Sequence, residues 1–541
     1  MAFATNGHGS EPEFVGKVFA FIFPMAAGHI NPSLPVARTL VAAGHVVHYL
    51  CREQMREAIE DTGARFNADV EVERELFNGR NPDTFGALFS LAKEHGLLGI
   101  SLMELRAMLR HVQVELQLPG LLRWLGEIGA QGVMYDPIFC PEAAYGARLL
   151  GLESVALLTI AGPGAMEPTE AGFMKVFGLT REGVAERTSN FEPGHAAVAR
   201  LRATYGLDLD ESSASRPVGY MDILSFSCMT LVTTSETLQE PMSRELAEAY
   251  RAAAVRFDFV GPLLDGAGAK RAAAHRFNVD EASDHRAEDI DVADLVRRAK
   301  GAGRRVVLVS MGTVVTGDSP EHGWDGRRTA SDGTRRGLCG RELCHAAWQG
   351  AFDALGEERA EDGAFLVVAL GPQKDPLGAI MPPPNAVCRP VLQQVDILRA
   401  GVDVFVTHAG QNSFMEGLAA GAALVCCPSF ADQPVNARRA ENLGLGLQVP
   451  RPEPQPGDEA AAAAAYRADV ARALGRVLRE PGFMAAAREC AADLARAPGV
   501  PRAAEWMVAA ASRPAGALAS SGKEPPAIPE VAAHKPVHGG A

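Results

Sequence analysis

Short apolar runs alternate along this chain with longer stretches whose apolar residues recur at helical spacing. The first run is VFAFIF from Val18, followed by the turn PMAAGHINPS and then SLPVARTLVAAG. In that last stretch Leu34, Ala37, Leu40 and Val41 share one helical face, and Gly44 stands where a helix closes. HVVHYLC reads as a second strand. Strand, loop, helix and strand make a βαβ unit, which predicts a parallel sheet covered by helices. The pattern recurs in GVMYDPIFCPEAAYGARLLGLESVALLT, with a strand to Tyr135, a loop from Asp136, a helix to Leu150 and a strand after Gly151. RRVVLVSMGT and GAFLVVAL supply two strands of the second half, and VDVFVT, HAGQN, SFMEGLAAG and AALVCCP form another βαβ unit there.

Between the halves, FDFVGPLLDGAGAKRAAAHR passes from an apolar run to a Gly/Ala-rich one, so the boundary is placed near Gly261-Pro262. The expected organisation is α/β: two tandem Rossmann-like parallel-sheet domains, residues 17–262 and 263–512, facing a cleft. Residues 1–16 and 513–541 are too poor in large apolar groups to pack. The Gly-, Asp- and Arg-rich run 314–341 has little periodicity and is expected to be a long inserted loop. Ligands of open α/β sheets bind outside the carboxyl ends of the strands, so the chemistry is sought in the loops there.

Length and charge narrow the function. A chain of 541 residues suggests about two to four domains. With 52 lysines and arginines against 66 aspartates and glutamates, the net charge is −14, which argues against a nucleic-acid partner. The basic clusters around Arg297–Arg305 and Arg327–Arg336 read as solvated loops. Nine cysteines are sparse and odd in number, which favours reduced, buried thiols. Cys339, Cys344 and His345 lack a second ligand pair at zinc spacing, so no metal site is expected. No run approaches the ~18 apolar residues of a membrane span, and MAFATNGHGSEPEF carries no secretory signature. The expectation is a soluble, cytoplasmic chain.

Three loops carry candidate chemistry. His29, in Gly28-His29-Ile30-Asn31-Pro32, lies between a strand end and a helix start, where a general base is useful; the plainer reading is a cap or surface turn. Asp136 ends another strand of the same half. A carboxylate there can fix an imidazole tautomer, and it can equally be a helix N-cap. The third loop system is richer. Asn412 and Ser413 offer donors at a helix start that favours phosphate, with His408 adding one more. Ala409 and Gly410 let a ligand approach the backbone. Glu416, one turn after Asn412, suits a vicinal diol such as ribose. Asp432 and Gln433 return to the same edge after the next strand. The spacing suits a nucleoside diphosphate linked to a sugar.

The Gly28–Pro32 loop and the Gln394–Gln433 segment together resemble the family 1 UDP-sugar-dependent glycosyltransferases of GT-B fold, with the macrolide and plant secondary-metabolite members closest. The likeness spans roughly Lys17 to Met507, and Phe259-Val260-Gly261-Pro262-Leu263 is similar to the family's interdomain linker. The resemblance implies His29 as catalytic base and Asp136 as its carboxylate. It implies Ser310, Gly312 and Thr313 along the diphosphate, and His408, Asn412 and Ser413 on the phosphates. Gln394 and Glu416 would take the ribose, and Asp432 and Gln433 the transferred sugar. Leu392 and Gly410 complete the implied donor set. It further implies inverting transfer of a hexose, glucose for preference, from UDP-sugar to a hydroxyl of a small lipophilic acceptor, without metal or other cofactor. Departures from the family pattern are Val391 in place of a Trp or Tyr that stacks on uracil, Gln393 for Pro, Gln411 for Trp, and the insertion 314–341.

A sugar-nucleotide epimerase, or a sugar-nucleotide-binding protein without transfer, are the alternatives on this fold. UDP release that requires an acceptor separates them from a transferase. A nicotinamide dehydrogenase and a P-loop enzyme are disfavoured, because the N-terminal βα turns lack G-x-G-x-x-G and no GxxxxGK[ST] occurs. The acceptor pocket is expected from Phe77–Leu105 and Leu158–Phe177, with Phe85, Phe89, Met103, Met166, Phe173 and Met174 as apolar lining or ordinary core.

Overall fold

A computed structural model describes residues 16–83, 85–209, 216–272, 291–329, 334–356 and 363–512. The terminal segments expected to be loose lie, but for Gly16, outside the described residues.

The first sheet is built from β1 (Val18–Ile22), β2 (Val46–Cys51), β3 (Arg65–Ala68), β4 (Gly132–Tyr135), β5 (Ser154–Leu158), β6 (Met229–Val232) and β7 (Phe257–Phe259). Its order is β3-β2-β1-β4-β5-β6-β7, and every pairing is parallel. The second contains β8 (Val306–Ser310), β11 (Phe365–Ala369), β12 (Ala386–Arg389), β13 (Val404–Thr407), β14 (Ala423–Cys426) and β15 (Gly446–Gln448). It runs β12-β11-β8-β13-β14-β15, also all parallel. The central strands are apolar on both faces because helices cover both, as parallel sheets require. In each sheet the order reverses beside the first strand, between β1 and β4 and between β8 and β13. Those two switch points open the crevices in which ligands sit.

Three readings need correction. The run 314–341 is not a plain loop. Val315, Trp324 and Leu338 are buried in the second core, and β9 (Arg328–Thr329) pairs antiparallel with β10 (Arg335–Arg336). Nor is its arginine cluster wholly solvated. Arg328 is buried, paired with Glu453 and donating to the Ser429 carbonyl, because the hairpin folds back onto the loop after β14. The last helix, Gly499–Ala511, packs on the first sheet although its sequence position assigned it to the second. Ala503, Met507 and Ala510 enter the core that holds Phe19 and Phe21. Trp506 Nε1 and Arg502 Nε donate to Asp258 at 2.6 and 2.9 Å.

The chain therefore returns to the first half, whose core also holds Leu263 and Ala272 from beyond the expected boundary, and there it meets the segment after β7. The Gly499 N–H donates to the Val260 carbonyl at 2.8 Å. Gly261, at φ +77°, lies so close that a Cβ there would sit 2.5 Å from the Ala497 methyl. All nine cysteines are unpaired and seven are buried. Among the described residues no helix is long and apolar enough to cross a membrane. Because Met507 fills the first core from the far end of the chain, Met507→Ala should cost about 2–5 kcal/mol through the cavity it leaves. Denaturant unfolding should show a correspondingly lower midpoint.

Candidate active site

His29 and Asp136 leave the sheet from adjacent strands. Ile22 pairs with Tyr135, and the loops that follow emerge together at the first switch point. His29 lies in the short helix Ala27–Ile30. Its Nδ1 is 2.6 Å from Asp136 Oδ2, and Thr159 Oγ1 lies 3.2 Å from the same nitrogen. Asp136 is fully buried, and its Oδ1 accepts the N–H groups of Ile138 and Phe139 at 2.9 and 2.8 Å. The carboxylate thus closes the turn that follows and meets the imidazole at once; it is not the helix N-cap that the sequence also allowed, because the next helix, Pro141–Leu149, starts after Cys140. Phe139 sets its ring edge-on to His29 at 4.7 Å, with the Arg106 guanidinium over its other side. His29 is one-fifth exposed toward the cleft.

The second switch point gathers the other candidates. Thr407 pairs with Ser310, and the His408 N–H donates to the Ser310 carbonyl at 3.3 Å. The His408 ring is buried against Gly312 and Gly410: a Cβ on either glycine would come within 2.6 Å of it. Burial lowers the imidazole pKa to about 4, so His408 is neutral near pH 7. Its Nδ1 finds no hydrogen-bond partner among the described residues. Thr313 is exposed on the same loop, while Leu392 is half-buried against the core. Gln394 Nε2 donates to Ser413 Oγ at 3.0 Å and to Glu416 Oε2 at 2.7 Å, which joins three of the expected residues. Asn412 and Glu416 line one pocket with Pro32 and Thr233 of the first half.

The loop after β14 closes the site. Gln433 Oε1 accepts the Ser429 and Phe430 N–H groups at 2.8 and 3.3 Å, which leaves its Nε2 to donate. Asp432 faces the first half; burial pushes its carboxyl up to about 6, against the pull of His29 across the cleft. Asn436 Nδ2 donates to the Ala409 carbonyl at 2.9 Å and to Asp432 Oδ2 at 3.3 Å, tying the two C-terminal loops together. Ala409 and Ala431 both hold left-handed backbone, at φ 60° and 55°. Such strain in non-glycine residues gathers where a loop must present its groups to a ligand.

Sequence reasoning missed Thr159, Phe139, Asn436 and Arg271. Asn436 was findable, four residues after Asp432 on a helix face. The other three become neighbours of the site only through the fold. The segments expected to form acceptor loops contain helices, among them Gly86–Glu94, Met166–Phe177 and the start of Leu102–Glu127. Phe85 reaches Phe139, ring to ring at 6.3 Å, whereas Phe89 is largely exposed and Phe173 stacks on Phe177. Among the described residues no group of acidic, His or Cys side chains is arranged to hold a metal.

Two doubly wound parallel sheets, with their switch points turned to a common cleft, make up the GT-B fold. Comparison with known proteins agrees. Residues 382–480 match the family described as UDP-glucoronosyl and UDP-glucosyl transferase. The NDP-glycosyltransferase YjiC of Bacillus licheniformis is 24% identical over 78% of this chain and 82% of its own. The calicheamicin glycosyltransferase CalG4 superposes with a TM-score of 0.58 over 92% of this chain and 99% of its own, at 19% identity. The spinosyn rhamnosyltransferase SpnG, solved with thymidine diphosphate, gives 0.54 over 91% of this chain and 100% of its own, at 15% identity. The two structural likenesses establish the fold. The chain thus carries a segment of the UDP-glucoronosyl and UDP-glucosyl transferase family at 382–480 and is similar over most of its length to glycosyltransferases, which supports glycosyl transfer from a nucleotide-sugar donor.

Gly312 at φ +81° permits the close seat of His408. Gly312→Ala should therefore destabilise by more than about 1 kcal/mol, from strain and the clash together. Gly28→Ala, with nothing within 4 Å of the added methyl, should leave the unfolding midpoint unchanged or slightly raised.

Proposed function

We propose that this enzyme is an inverting, cytoplasmic hexosyltransferase. It moves a sugar, glucose for preference, from UDP to a hydroxyl of a small lipophilic acceptor, with no metal or other cofactor. The observation that carries this reading is the 2.6 Å His29–Asp136 pair at the first switch point, facing Asp432 across the cleft.

Asp136 accepts the Nδ1 proton of His29, which leaves Nε2 as the base for an acceptor hydroxyl. Thr159 and Phe139 hold the ring in that orientation. The activated oxygen attacks the anomeric carbon from the face opposite the nucleotide, and the diphosphate departs with inversion. Its developing charge meets the free N–H groups that open the helix Gln411–Ala419, the Asn412 and Ser413 side chains, and the neutral His408. Ser310, Gly312 and Thr313 border the same diphosphate, with Leu392 and Gly410 beside the nucleotide. Gln394 and Glu416 take the ribose hydroxyls; Asp432 and the Gln433 amide take the sugar's. Phe85 and Phe139 support an apolar acceptor near the base. Val391, half exposed, offers uracil an aliphatic contact rather than an aromatic stack.

Replacing His29 by Ala should lower kcat by about 10²–10⁴-fold while calorimetry shows UDP binding retained. Asp136→Asn should cost a loss of similar order, since an amide no longer selects the required tautomer. Turnover at the wild-type rate in His29→Ala would remove the base assignment. UDP release without any acceptor would favour hydrolysis over transfer.

The Asp432 role predicts a pH effect. Its carboxyl is ionised above about 6 and gains a proton as the pH falls through that value. The donor KM should therefore rise as the pH falls below about 6, and Asp432→Asn should raise it above about pH 6, toward the wild-type low-pH value, and remove that step. Initial rates at varied donor concentration, from about pH 5 to about pH 8, measure both.

A further inference from the structure

We propose that Arg271 is a donor-binding residue whose guanidinium holds the diphosphate of the nucleotide sugar. The proposal rests on the reading of this cleft as the donor site. Arg271 belongs to the segment by which the chain leaves the first half. Its neighbour Ala272 is clamped at two points by Asn31: the Ala272 N–H donates to Asn31 Oδ1 at 2.9 Å, and Asn31 Nδ2 donates to the Ala272 carbonyl at 3.2 Å. On the other side, the Lys270 N–H donates to Asp61 at 3.2 Å. The backbone is thereby pinned two residues from the His29 turn, and the side chain points at the second half.

There Arg271 Nη2 donates to Glu416 Oε1 at 2.5 Å, while Gln394 holds the other oxygen of Glu416 at 2.7 Å. Both acceptor atoms proposed for the ribose are occupied. A ribose that engages Glu416 displaces the guanidinium from it. Arg271, Asn412 and Glu416 line one space with Pro32, Thr233 and Pro262, so the guanidinium already borders the start of that helix. Asn412 is four residues before Glu416, about 6 Å along the helix axis, within the swing of an arginine side chain.

Charge gives the direction of that swing. The groups proposed for the phosphates are all uncharged: Asn412, Ser413, backbone amides, and a His408 that burial keeps neutral. Glu416 and Asp432 add negative groups nearby. Among the described residues that line the pocket, Arg271 is the one basic side chain. Its planar fork suits two phosphate oxygens, through charge-assisted hydrogen bonds stronger than neutral ones. In this structure Glu416 holds the guanidinium; with donor bound, ribose takes the carboxylate and the diphosphate takes the arginine.

Titration calorimetry of wild type, Arg271→Ala and Arg271→Lys with UDP and with uridine tests this. Arg271→Ala should weaken UDP at least about tenfold, with Arg271→Lys recovering part of the loss. Uridine, which has no phosphate, should bind Arg271→Ala as well as wild type or better, and that binding also reports an intact fold. UDP affinity that is unchanged or improved in Arg271→Ala overturns the proposal and makes the arginine a plug. Equal losses for UDP and uridine overturn it in favour of a purely structural strut. A wild-type enzyme that binds neither UDP nor dTDP refutes the donor-site reading itself, and this proposal with it.

Discussion

Parallel pairing of β1 with β4 sets Ile22 opposite Tyr135, and the residues that follow leave the sheet at the same edge. β8 and β13 repeat this with Ser310 opposite Thr407. His29 with Asp136, and Gly312 with His408, are consequences of those two registers. A slip of one residue in either pairing would turn every side chain of the strand to the other face and separate the pair. The apolar content of the central strands therefore does more than build cores, because it fixes the register on which each polar contact in the cleft depends.

The site handles charge with few formal ions. The chain carries a net −14 and yet uses an anionic donor. At the second switch point the groups proposed for the phosphates are, Arg271 apart, dipoles: amide N–H groups, an amide side chain, a hydroxyl and an imidazole kept neutral by burial. Backbone strain contributes to this arrangement. Ala409 and Ala431 hold a left-handed conformation costing about 1–2 kcal/mol each, and the Asn436 amide bonded to the Ala409 carbonyl helps to hold one of them.

Much of this was legible in the sequence, for identifiable reasons. Asp136 and His408 directly follow apolar runs, His29 and Asp432 stand in the loops after them, and Asn412 and Glu416 open the helix that comes next, so strand ends announce the set. The alternation of runs and helical stretches gave both parallel sheets. Docking partners were less visible. The spacing of Ala503, Met507 and Ala510 marks a buried helix face, but periodicity does not say which sheet buries it. Arg328 sits in a polar, aperiodic run that looks solvated, and only the hairpin shows that it lies under Ser429. Arg271 lies in a Gly/Ala-rich linker more than 120 residues before the carboxylate it meets.

The return of the chain bears on how the second half is held. The segments around Val260 and Ala497–Gly499 run in contact and share a hydrogen bond. Ala503, Met507 and Ala510 are buried with Phe19 and Phe21, so the far end of the chain is sewn into the half where it began. The second half is thereby a loop of chain tied down at both of its ends, not a pendant hung from one. Loosening the last helix would strip the first core and untie the second half at a single stroke.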